Sequence, residues 1–338
     1  MWYEVHVLDV GDADAIVIKY RETEQSPLVT AVIDAGNVED ARKVLDCIGK
    51  SGDGKYHVNY AFCTHPDKDH KGGFFDILKN PNVMLGCLLL QDPWLNLDID
   101  SFSRIEDLES AKQRARAPYN HPKAEEKVNL IDLAEQMKKL CRISQGFKCD
   151  DIPLRVIGPQ DDYYRECALG MTSEFAELED EADFEAYDED AIPDEKSARS
   201  VIDEDDDTSI TNRSSLILLF EPSDGRKFLF PGDANCASLK AVIDECGEQL
   251  CGCTLKVPHH GSKHNLTTEI IDLLAPRSAV ISARGSKKHP SSAIVYWLSR
   301  HCNVFSTHKS HGLVYGSDIN GDAKPLKKKI KPQEGRES

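Results

Sequence analysis

Short apolar runs and polar turns alternate along the whole chain, at lengths typical of the strands and helices of a compact domain. Period-two alternation or continuous apolar character predicts strands at residues 2–10, 15–20, 28–33, 58–63, 83–90, 154–157, 215–220, 227–230, 254–257, 279–281 and 304–306. Helical spacing of apolar residues predicts helices at residues 38–49, 72–78, 124–143, 236–247, 266–274 and 291–301. Residues 91–123 read as irregular and polar. The order of predicted strands and helices in the second half resembles that in the first. We therefore expect two similar halves packed face to face, with helices outside and sheets inside.

Length and composition favour an intracellular globular protein. The chain has 338 residues, of which 40% are hydrophobic, enough for one large core or two modest ones. No run of 18 apolar residues occurs, so we expect no membrane span, and the first residues lack the pattern of a signal peptide. The 11 cysteines are odd in number, and their spacing does not indicate disulfide pairs, which favours reduced thiols and a cytoplasmic location.

The acidity of the chain is concentrated in one segment. The formal net charge is −17, but residues 174–207 hold 17 Asp and Glu against Lys196 and Arg199, a local charge of −15, so the rest of the chain carries −2. Such a composition buries little apolar surface, and we expect a mobile insert there. Residues 1–320 would form one domain that this insert interrupts, and residues 321–338 a flexible basic tail. The nearly neutral body leaves a phosphate-bearing substrate possible.

The densest group of candidate ligands is Thr64–His70, which follows an apolar strand and precedes two glycines. It holds His65, Asp67, Asp69 and His70 within six residues. Imidazole and carboxylate are the ligands of zinc and of harder divalent ions. A strand that ends in such a cluster predicts a metal site at a sheet edge.

Other candidate ligands also follow predicted strands. Asp34, Asp233, the pair His259 and His260, and His289 each come after an apolar run. Taken alone, each has an ordinary explanation as a turn, capping or packing residue. Their common position at strand ends favours one shared site.

These motifs, in this order, resemble the metallo-β-lactamase superfamily and, within it, the nuclease-like domain attached to the DNA-uptake channel protein ComEC. The resemblance rests on residues 6–16, 32–36, 64–73, 212–218, 230–234, 255–262 and 289–290. It extends over roughly residues 3–315, nearly the whole chain. It implies an α/β fold: a four-layered αββα metallo-β-lactamase sandwich, with two mixed sheets face to face and helices outside.

The resemblance also implies a set of ligands for two divalent metal ions, zinc or manganese. His65 and Asp67, with either His259 or His260, would hold the first ion. The second would be held by Asp69, His70 and His289, with Asp233 between the two. Asp69 and Asp233 are therefore the implied catalytic residues, and Asp34 would orient a ligand histidine by a hydrogen bond or serve only as a turn residue.

Two departures from the superfamily pattern bear on the metal. Asp67 stands where the superfamily commonly has histidine, although the ComEC-type branch has aspartate there. A carboxylate makes the site harder and favours manganese or a mixed site over zinc alone. The usual Gly-His-Thr ligand motif is absent, and the double histidine would supply that ligand. Neighbours in an extended stretch point in opposite directions, so we expect one of His259 and His260 to bind and the other to support it.

The branch resemblance favours hydrolysis of a phosphodiester in nucleic acid or a nucleotide. Lys256, Ser262, Lys263 and Arg284 lie near candidate ligands in sequence and could contact phosphate, although Ser262 could instead cap the following helix, a position for which Asn265 competes. One alternative is hydrolysis of a small non-phosphate ester, amide or lactam. Another is a non-catalytic regulator that binds a protein partner through residues 174–207. The sequence favours no particular oligomeric state.

Overall fold

Two mixed β-sheets packed against each other form the centre of the protein. The computed structural model describes residues 1–97, 105–172, 194–285, 289–318 and 323–325. Its strands are β1 (Trp2–Val7), β2 (Ala15–Arg21), β3 (Val29–Ala35), β4 (Tyr56–Phe62), β5 (Val83–Leu90), β6 (Leu140–Arg142), β7 (Leu154–Gly158), β8 (Ile217–Phe220), β9 (Phe228–Phe230), β10 (Thr254–Lys256), β11 (Ser278–Ile281), β12 (Asn303–Ser306), β13 (Leu313–Gly316) and β14 (Lys324–Pro325).

The helices of the described residues lie between these strands in the chain. They are α1 (Ala41–Ile48), α2 (Lys68–Lys79), α3 (Ile105–Arg116), α4 (Leu130–Gln136), α5 (Asp161–Gly170), α6 (Glu195–Ile202), α7 (Ile210–Arg213), α8 (Cys236–Cys246), α9 (Thr268–Leu274), α10 (Ser292–Ser299) and α11 (Thr307–Ser310). Among the described residues, no helix has both the length and the apolar character that crossing a bilayer requires.

Most strands of each sheet come from one half of the chain, but the C-terminal strands β13 and β14 return to the first sheet. The first sheet has the strand order β14-β13-β1-β2-β3-β4-β5-β6, and the second has β12-β11-β10-β9-β8-β7. Strands β3 to β6 run parallel in the first sheet, and β9 to β12 run parallel in the second. The carboxyl ends of parallel neighbours meet at one edge of a sheet, which is where α/β proteins place their sites.

Three buried clusters define four layers. Aromatic and aliphatic side chains from both sheets fill the space between them, including Tyr3, Phe62 and Phe220. Helices α1, α2 and α4 cover the outer face of the first sheet. Helices α6, α8, α9 and α10 cover the outer face of the second. The predicted four-layer αββα sandwich is therefore confirmed.

Three predicted elements are wrong. Residues 124–143 do not form one helix: α4 ends at Gln136, and the run that follows it becomes β6, which pairs with β5. Residues 91–123 are not wholly irregular, since they contain α3. The boundary of the basic tail at residue 321 is also wrong, because Lys324 and Pro325 form β14 and pair with β13. The other residues of the expected tail lie outside the described residues.

The mobile insert expected over residues 174–207 is wrong for residues 194–207. Ala198 and Ile202 of α6 are fully buried against the helices of the second sheet. The amphipathic helix α6 within the acidic segment thus supplies apolar surface, although the segment as a whole has few apolar residues. The remaining part of the expected insert, residues 174–193, lies outside the described residues.

The packing of α6 gives a measurable stability effect. We expect Ile202→Val to lower the free energy of unfolding by about 0.5–1.5 kcal/mol, because it removes one methyl group from a closely packed site. Urea denaturation would measure the change, with the exposed Ser200→Ala on the same helix as the control. Equal stability of I202V and the unsubstituted protein would mean that α6 does not pack as described.

Candidate metal centre

The end of β4 and the start of α2 carry four candidate donors. After Phe62 the chain turns, and α2 begins at Lys68 with Asp67 as its N-terminal capping residue. Asp69 and His70 therefore lie in the first helical turn, where the helix dipole favours negative charge. His65 precedes the helix and is fully buried.

Two glycines allow α2 to approach the end of β3. A Cβ atom at Gly73 would lie 2.2 Å from the carbonyl oxygen of Ala35, and one at Gly72 would lie 2.6 Å from the backbone nitrogen of Val38. Both distances are far too short for a real side chain. The Gly-Gly pair after the ligand cluster thus brings His70 against Asp34 at the end of β3.

Donor atoms from both sheets converge in two groups of three. The first group is His65, His70 and Asp233, and the second is Asp69, His70 and His260. Asp233 Oδ2 lies 3.2 Å from Nε2 of His70 and 3.9 Å from Nε2 of His65. Asp69 Oδ2 lies 3.0 Å from Nε2 of His260 and 3.7 Å from Nε2 of His70. The structure thus brings together five residues from three separate motifs of the sequence, Thr64–His70, Asp233 and the double histidine.

The buried nitrogen atoms of this cluster fit a cation. Nε2 of His65 and Nε2 of His70 are buried and make no well-aligned hydrogen bond among the described residues, although Oδ2 of Asp233 lies 3.2 Å from Nε2 of His70. A buried polar atom without a partner costs about 1–3 kcal/mol, so native proteins rarely tolerate two side by side. A divalent ion bound to both nitrogens and to Asp233 would satisfy them, and the donor types are those that zinc and manganese accept.

The electrostatics of the cluster also favour a bound cation. Burial disfavours the charged imidazole of His70, but the carboxylates of Asp233, Asp34 and Asp69 outweigh it and raise the pKa of His70 well above its ordinary value. Burial likewise opposes ionisation of Asp233 and Asp69, but the neighbouring histidines hold the pKa of each carboxyl below its usual range. A field that attracts protons to a buried histidine attracts a divalent ion as well.

Asp67 lies at the edge of the same cluster. Its side chain is 32% exposed, and Oδ2 lies 3.7 Å from Nε2 of His65. Burial raises the pKa of Asp67, but the charge of the nearby His65 and the contact with Thr211 lower it overall. Asp67 is thus an ionised carboxylate beside His65, at the position where the superfamily commonly has histidine.

Asp34 makes the hydrogen bond to a candidate ligand that the sequence left as one of two alternatives. Its Oδ2 accepts from Nδ1 of His70 at 2.8 Å and from the Thr64 hydroxyl at 2.7 Å, while Oδ1 accepts from the Thr64 amide at 2.8 Å. Asp34 has a positive φ of 56°, a conformation that Asp and Asn tolerate best among residues with side chains. One carboxylate therefore fixes both the ring of His70 and the loop after β4.

The contact from Asp34 leads to a prediction about metal affinity. We expect Asp34→Asn to weaken the binding of Mn²⁺ or Zn²⁺ by about 10- to 100-fold, because His70 loses the acceptor that orients it. Asparagine keeps the size of the side chain and tolerates the same φ. Titration of the metal-free protein would measure the affinity, with the exposed Asp76→Asn on α2 as the control. An affinity within about twofold of the unsubstituted protein would contradict the role of Asp34, because the loss of such a hydrogen-bond partner ordinarily costs at least tenfold.

The two adjacent histidines after β10 face different partners. His260 donates from Nδ1 to the carbonyl oxygen of Ser282 at 2.8 Å, and its Nε2 lies 3.0 Å from Oδ2 of Asp69. His259 instead directs Nδ1 toward Asn265 at 3.1 Å and Asp207 at 3.3 Å. Both residues have positive φ, so the stretch is not extended as expected from the sequence, although the side chains do diverge.

The structure differs from the expected ligand set at His289. The resemblance assigns His289 to the same ion as Asp69 and His70, but in the structure His260 holds that place beside Asp69. The ring of His289 lies beside those of His259 and His260, with centroids 5.2 and 6.0 Å away. His289 thus borders the cluster without belonging to a three-donor group of the described residues.

Two of the four expected phosphate contacts are wrong. Lys256 is only 1% exposed and its ammonium group pairs with Asp14, so it cannot reach a substrate. Ser262 is buried, and its hydroxyl accepts from the amide of His264 at 3.3 Å. It does not cap α9 either, since Thr267 does so.

The other two expected contacts are at least partly exposed. Lys263 is half-buried and Arg284 is exposed. The guanidinium of Arg284 packs over Gly11, and its backbone amide donates to Asp12 at 2.8 Å. Arg284 therefore presents a fixed positive charge at the turn after β1.

Several residues of the site are not predicted from the sequence. Asp14 lies 3.7 Å from Nδ1 of His260 and 3.9 Å from Nδ1 of His70, and it forms a third donor group with Asp34 and His70. The sequence feature that could have revealed Asp14 is the motif at residues 6–16, but this motif by itself indicates no more than a turn. Asp207 and Asn265 carry no separate signal, because one ends an acidic run and the other resembles a capping residue.

Fold and site agree with the motifs of the sequence. A four-layer αββα sandwich with a buried histidine–carboxylate cluster at the strand ends is the arrangement that the metallo-β-lactamase motifs predict. No family model matches the chain. A curated relative, ComE operon protein 3 from Bacillus subtilis (strain 168), is 33% identical over 97 residues, which are 28% of this chain and 12% of that protein. This match confirms the resemblance to ComEC-type proteins, although this chain matches only about an eighth of the relative's length.

A solved structure aligns with most of the chain. It is MEM-A1, a subclass B3 metallo-β-lactamase isolated from a soil metagenome library. The sequence identity is 12%, the TM-score is 0.37, and the alignment covers 88% of this chain and 89% of the other.

Proposed function

We propose that this protein is a metal-dependent hydrolase that cleaves phosphodiester bonds, in a nucleic acid or a nucleotide. One observation supports it above all: buried imidazole nitrogens, without well-aligned hydrogen bonds in the described part of the chain, face carboxylates that the other sheet and α2 supply. The ComEC-type resemblance adds support for the phosphodiester, because that domain is nuclease-like.

The donor set would hold two divalent ions, zinc or manganese. His65, His70 and Asp233 would bind one ion, with Asp67 beside them, and Asp69 and His260 would serve the other. When bound, such ions supply an activated water at neutral pH and withdraw charge from the scissile bond. The proportion of carboxylates favours manganese or a mixed pair.

The chain's own residues would position the substrate and the ligands. Asp233 is held by a hydrogen bond from the His259 amide to Oδ1 at 3.1 Å, which turns Oδ2 toward the histidines. Arg284 and Lys263 are at least partly exposed and lie close to candidate ligands in sequence, and they would attract a phosphate group. Because nearly all of the net charge belongs to the acidic segment, the rest of the surface would not repel a polyanion strongly.

A substrate panel tests this function. Purified protein would be incubated with bis-p-nitrophenyl phosphate, single-stranded DNA, RNA and cyclic dinucleotides, each with Mn²⁺ or Zn²⁺ and after chelation. We expect metal-dependent hydrolysis of at least one phosphodiester. Hydrolysis of p-nitrophenyl acetate or a chromogenic lactam, with none of any phosphodiester, would replace this proposal with the small-ester, amide or lactam alternative. Inactivity on every compound, with ions bound, would favour a non-catalytic regulator.

A further inference from the structure

The end of the acidic segment is attached to the second sheet by three carboxylates. Asp203 accepts from the amide and hydroxyl of Thr268, both at 2.8 Å, at the start of α9. Asp206 accepts from the amides of Cys236 and Ala237 at the start of α8, at 2.8 and 3.2 Å. These contacts satisfy helix N-termini and hold residues 203–207 across two helices.

The third carboxylate, Asp207, enters the candidate metal centre. Its side chain is fully buried. Oδ2 accepts from Nδ2 of Asn212 at 2.8 Å and from Nδ2 of Asn265 at 2.9 Å, and it lies 3.3 Å from Nδ1 of His259. A buried carboxylate with this many donors is held in a single orientation.

The hydrogen bonds of Asn265 determine the proton on His259. Nδ2 of Asn265 donates to Asp207 and to the carbonyl oxygen of Asp233 at 3.0 Å, which fixes the amide orientation. Oδ1 of Asn265 therefore faces Nδ1 of His259, at 3.1 Å. Asp207 and Asn265 present acceptors to that nitrogen at 3.3 and 3.1 Å, whereas Nδ2 of Asn212 lies farther away, at 3.4 Å, and donates to Asp207 instead. Nδ1 of His259 therefore carries the proton and Nε2 carries the lone pair.

We infer that Asp207 is a positioning residue for the metal centre, which holds His259 in the tautomer whose Nε2 can bind a divalent ion. This inference rests on the proposed function for the presence of the ion. It gives the acidic segment a role at the site: its last residue orients His259, one of the two histidines that the resemblance offers as a ligand beside His65 and Asp67. His259 also donates its amide to Asp233, so the same turn supports two donors.

The tautomer can be measured without metal or substrate. The whole chain would be labelled with ¹⁵N-histidine, stripped of metal, and its imidazole nitrogens observed by long-range ¹H–¹⁵N NMR, with His259→Gln to assign the signals. We expect His259 to show a protonated Nδ1 and a lone pair on Nε2. The reverse tautomer, in the unsubstituted protein, would overturn the inference whatever the variants do.

Asp207→Asn supplies the matching perturbation. It keeps the shape but removes the charge and introduces an NH₂ group, so we expect the His259 signals to shift toward the other tautomer. Mn²⁺ and Zn²⁺ affinity should fall by about 10- to 100-fold. Asp206→Asn is the control, since it loosens the same segment without touching His259, and its histidine signals should stay in place. Unchanged signals and unchanged affinity in D207N would overturn the inference.

The outcomes separate this inference from the proposed function. If the unsubstituted protein binds ions and D207N binds them weakly, but no phosphodiester is cleaved, the positioning role stands and the proposed reaction falls. If phosphodiesters are cleaved and D207N keeps the affinity and tautomer of the unsubstituted protein, the reaction stands and the positioning role falls.

Discussion

Replacing Asp233 with asparagine is expected to lower kcat/KM for phosphodiester hydrolysis by about 10³-fold, the effect of about 4 kcal/mol on the barrier. Asp233 follows β9 in the second sheet, yet its Oδ2 lies beside the Nε2 atoms of His65 and His70 from the first sheet. It is thus the carboxylate that joins the two halves of the site. Asparagine keeps the oxygen that accepts from the His259 amide but removes the charge.

The matched control for Asp233→Asn is Asp244→Asn. Asp244 lies on α8, the helix that follows Asp233, and it is exposed and paired at the surface with Lys240. Steady-state kinetics and metal analysis would be run on both variants, and D244N should resemble the unsubstituted protein. Full activity in D233N, with its metal retained, would contradict the placement of the metal centre.

Replacing Lys256 with methionine is expected to lower the free energy of unfolding by about 3–5 kcal/mol, the usual cost of leaving a buried charge without its partner. Lys256 and Asp14 are almost completely buried and form an ion pair behind His70 and His260. The change leaves the carboxylate of Asp14 buried among other carboxylates. Urea denaturation of metal-free protein would measure the loss.

A double variant separates the lost pair from lost packing. Asp14→Asn combined with Lys256→Met removes both charges, and we expect it to be more stable than K256M alone. The exposed Lys79→Met, which breaks a surface pair with Glu126, should cost at most about 1 kcal/mol. If K256M and K79M cost the same, Lys256 is not the buried partner that the structure shows.

The layers and the place of the site are predictable from the sequence. Strand periodicity is local, and parallel strands end at a common edge, so Asp34, the Thr64–His70 cluster, Asp233 and the double histidine can be assigned to one site without coordinates. One of the two roles that the sequence allows for Asp34, partner of a ligand histidine, is the one that its contacts support. The glycines after His70 explain why the geometry works, since only they allow α2 to approach β3.

The incorrect predictions concern features that depend on contacts between distant parts of the chain. A lysine beside a ligand motif looks accessible in sequence, and only the approach of β10 to the β1–β2 turn shows that Lys256 is buried against Asp14. Net charge likewise conceals α6, because two buried apolar residues, Ala198 and Ile202, are enough to attach an acidic helix. Asp207 can be recognised as a partner of His259 only once the structure shows that the end of the acidic segment packs on the second sheet.

The most direct measurement is a metal titration of the stripped protein, followed by hydrolysis of bis-p-nitrophenyl phosphate at each point. The proposed centre predicts that Mn²⁺ or Zn²⁺ binds at about two ions per chain and that activity rises with occupancy and disappears on chelation. A chain that binds neither ion, or that binds both and cleaves no phosphodiester, would contradict the proposed function.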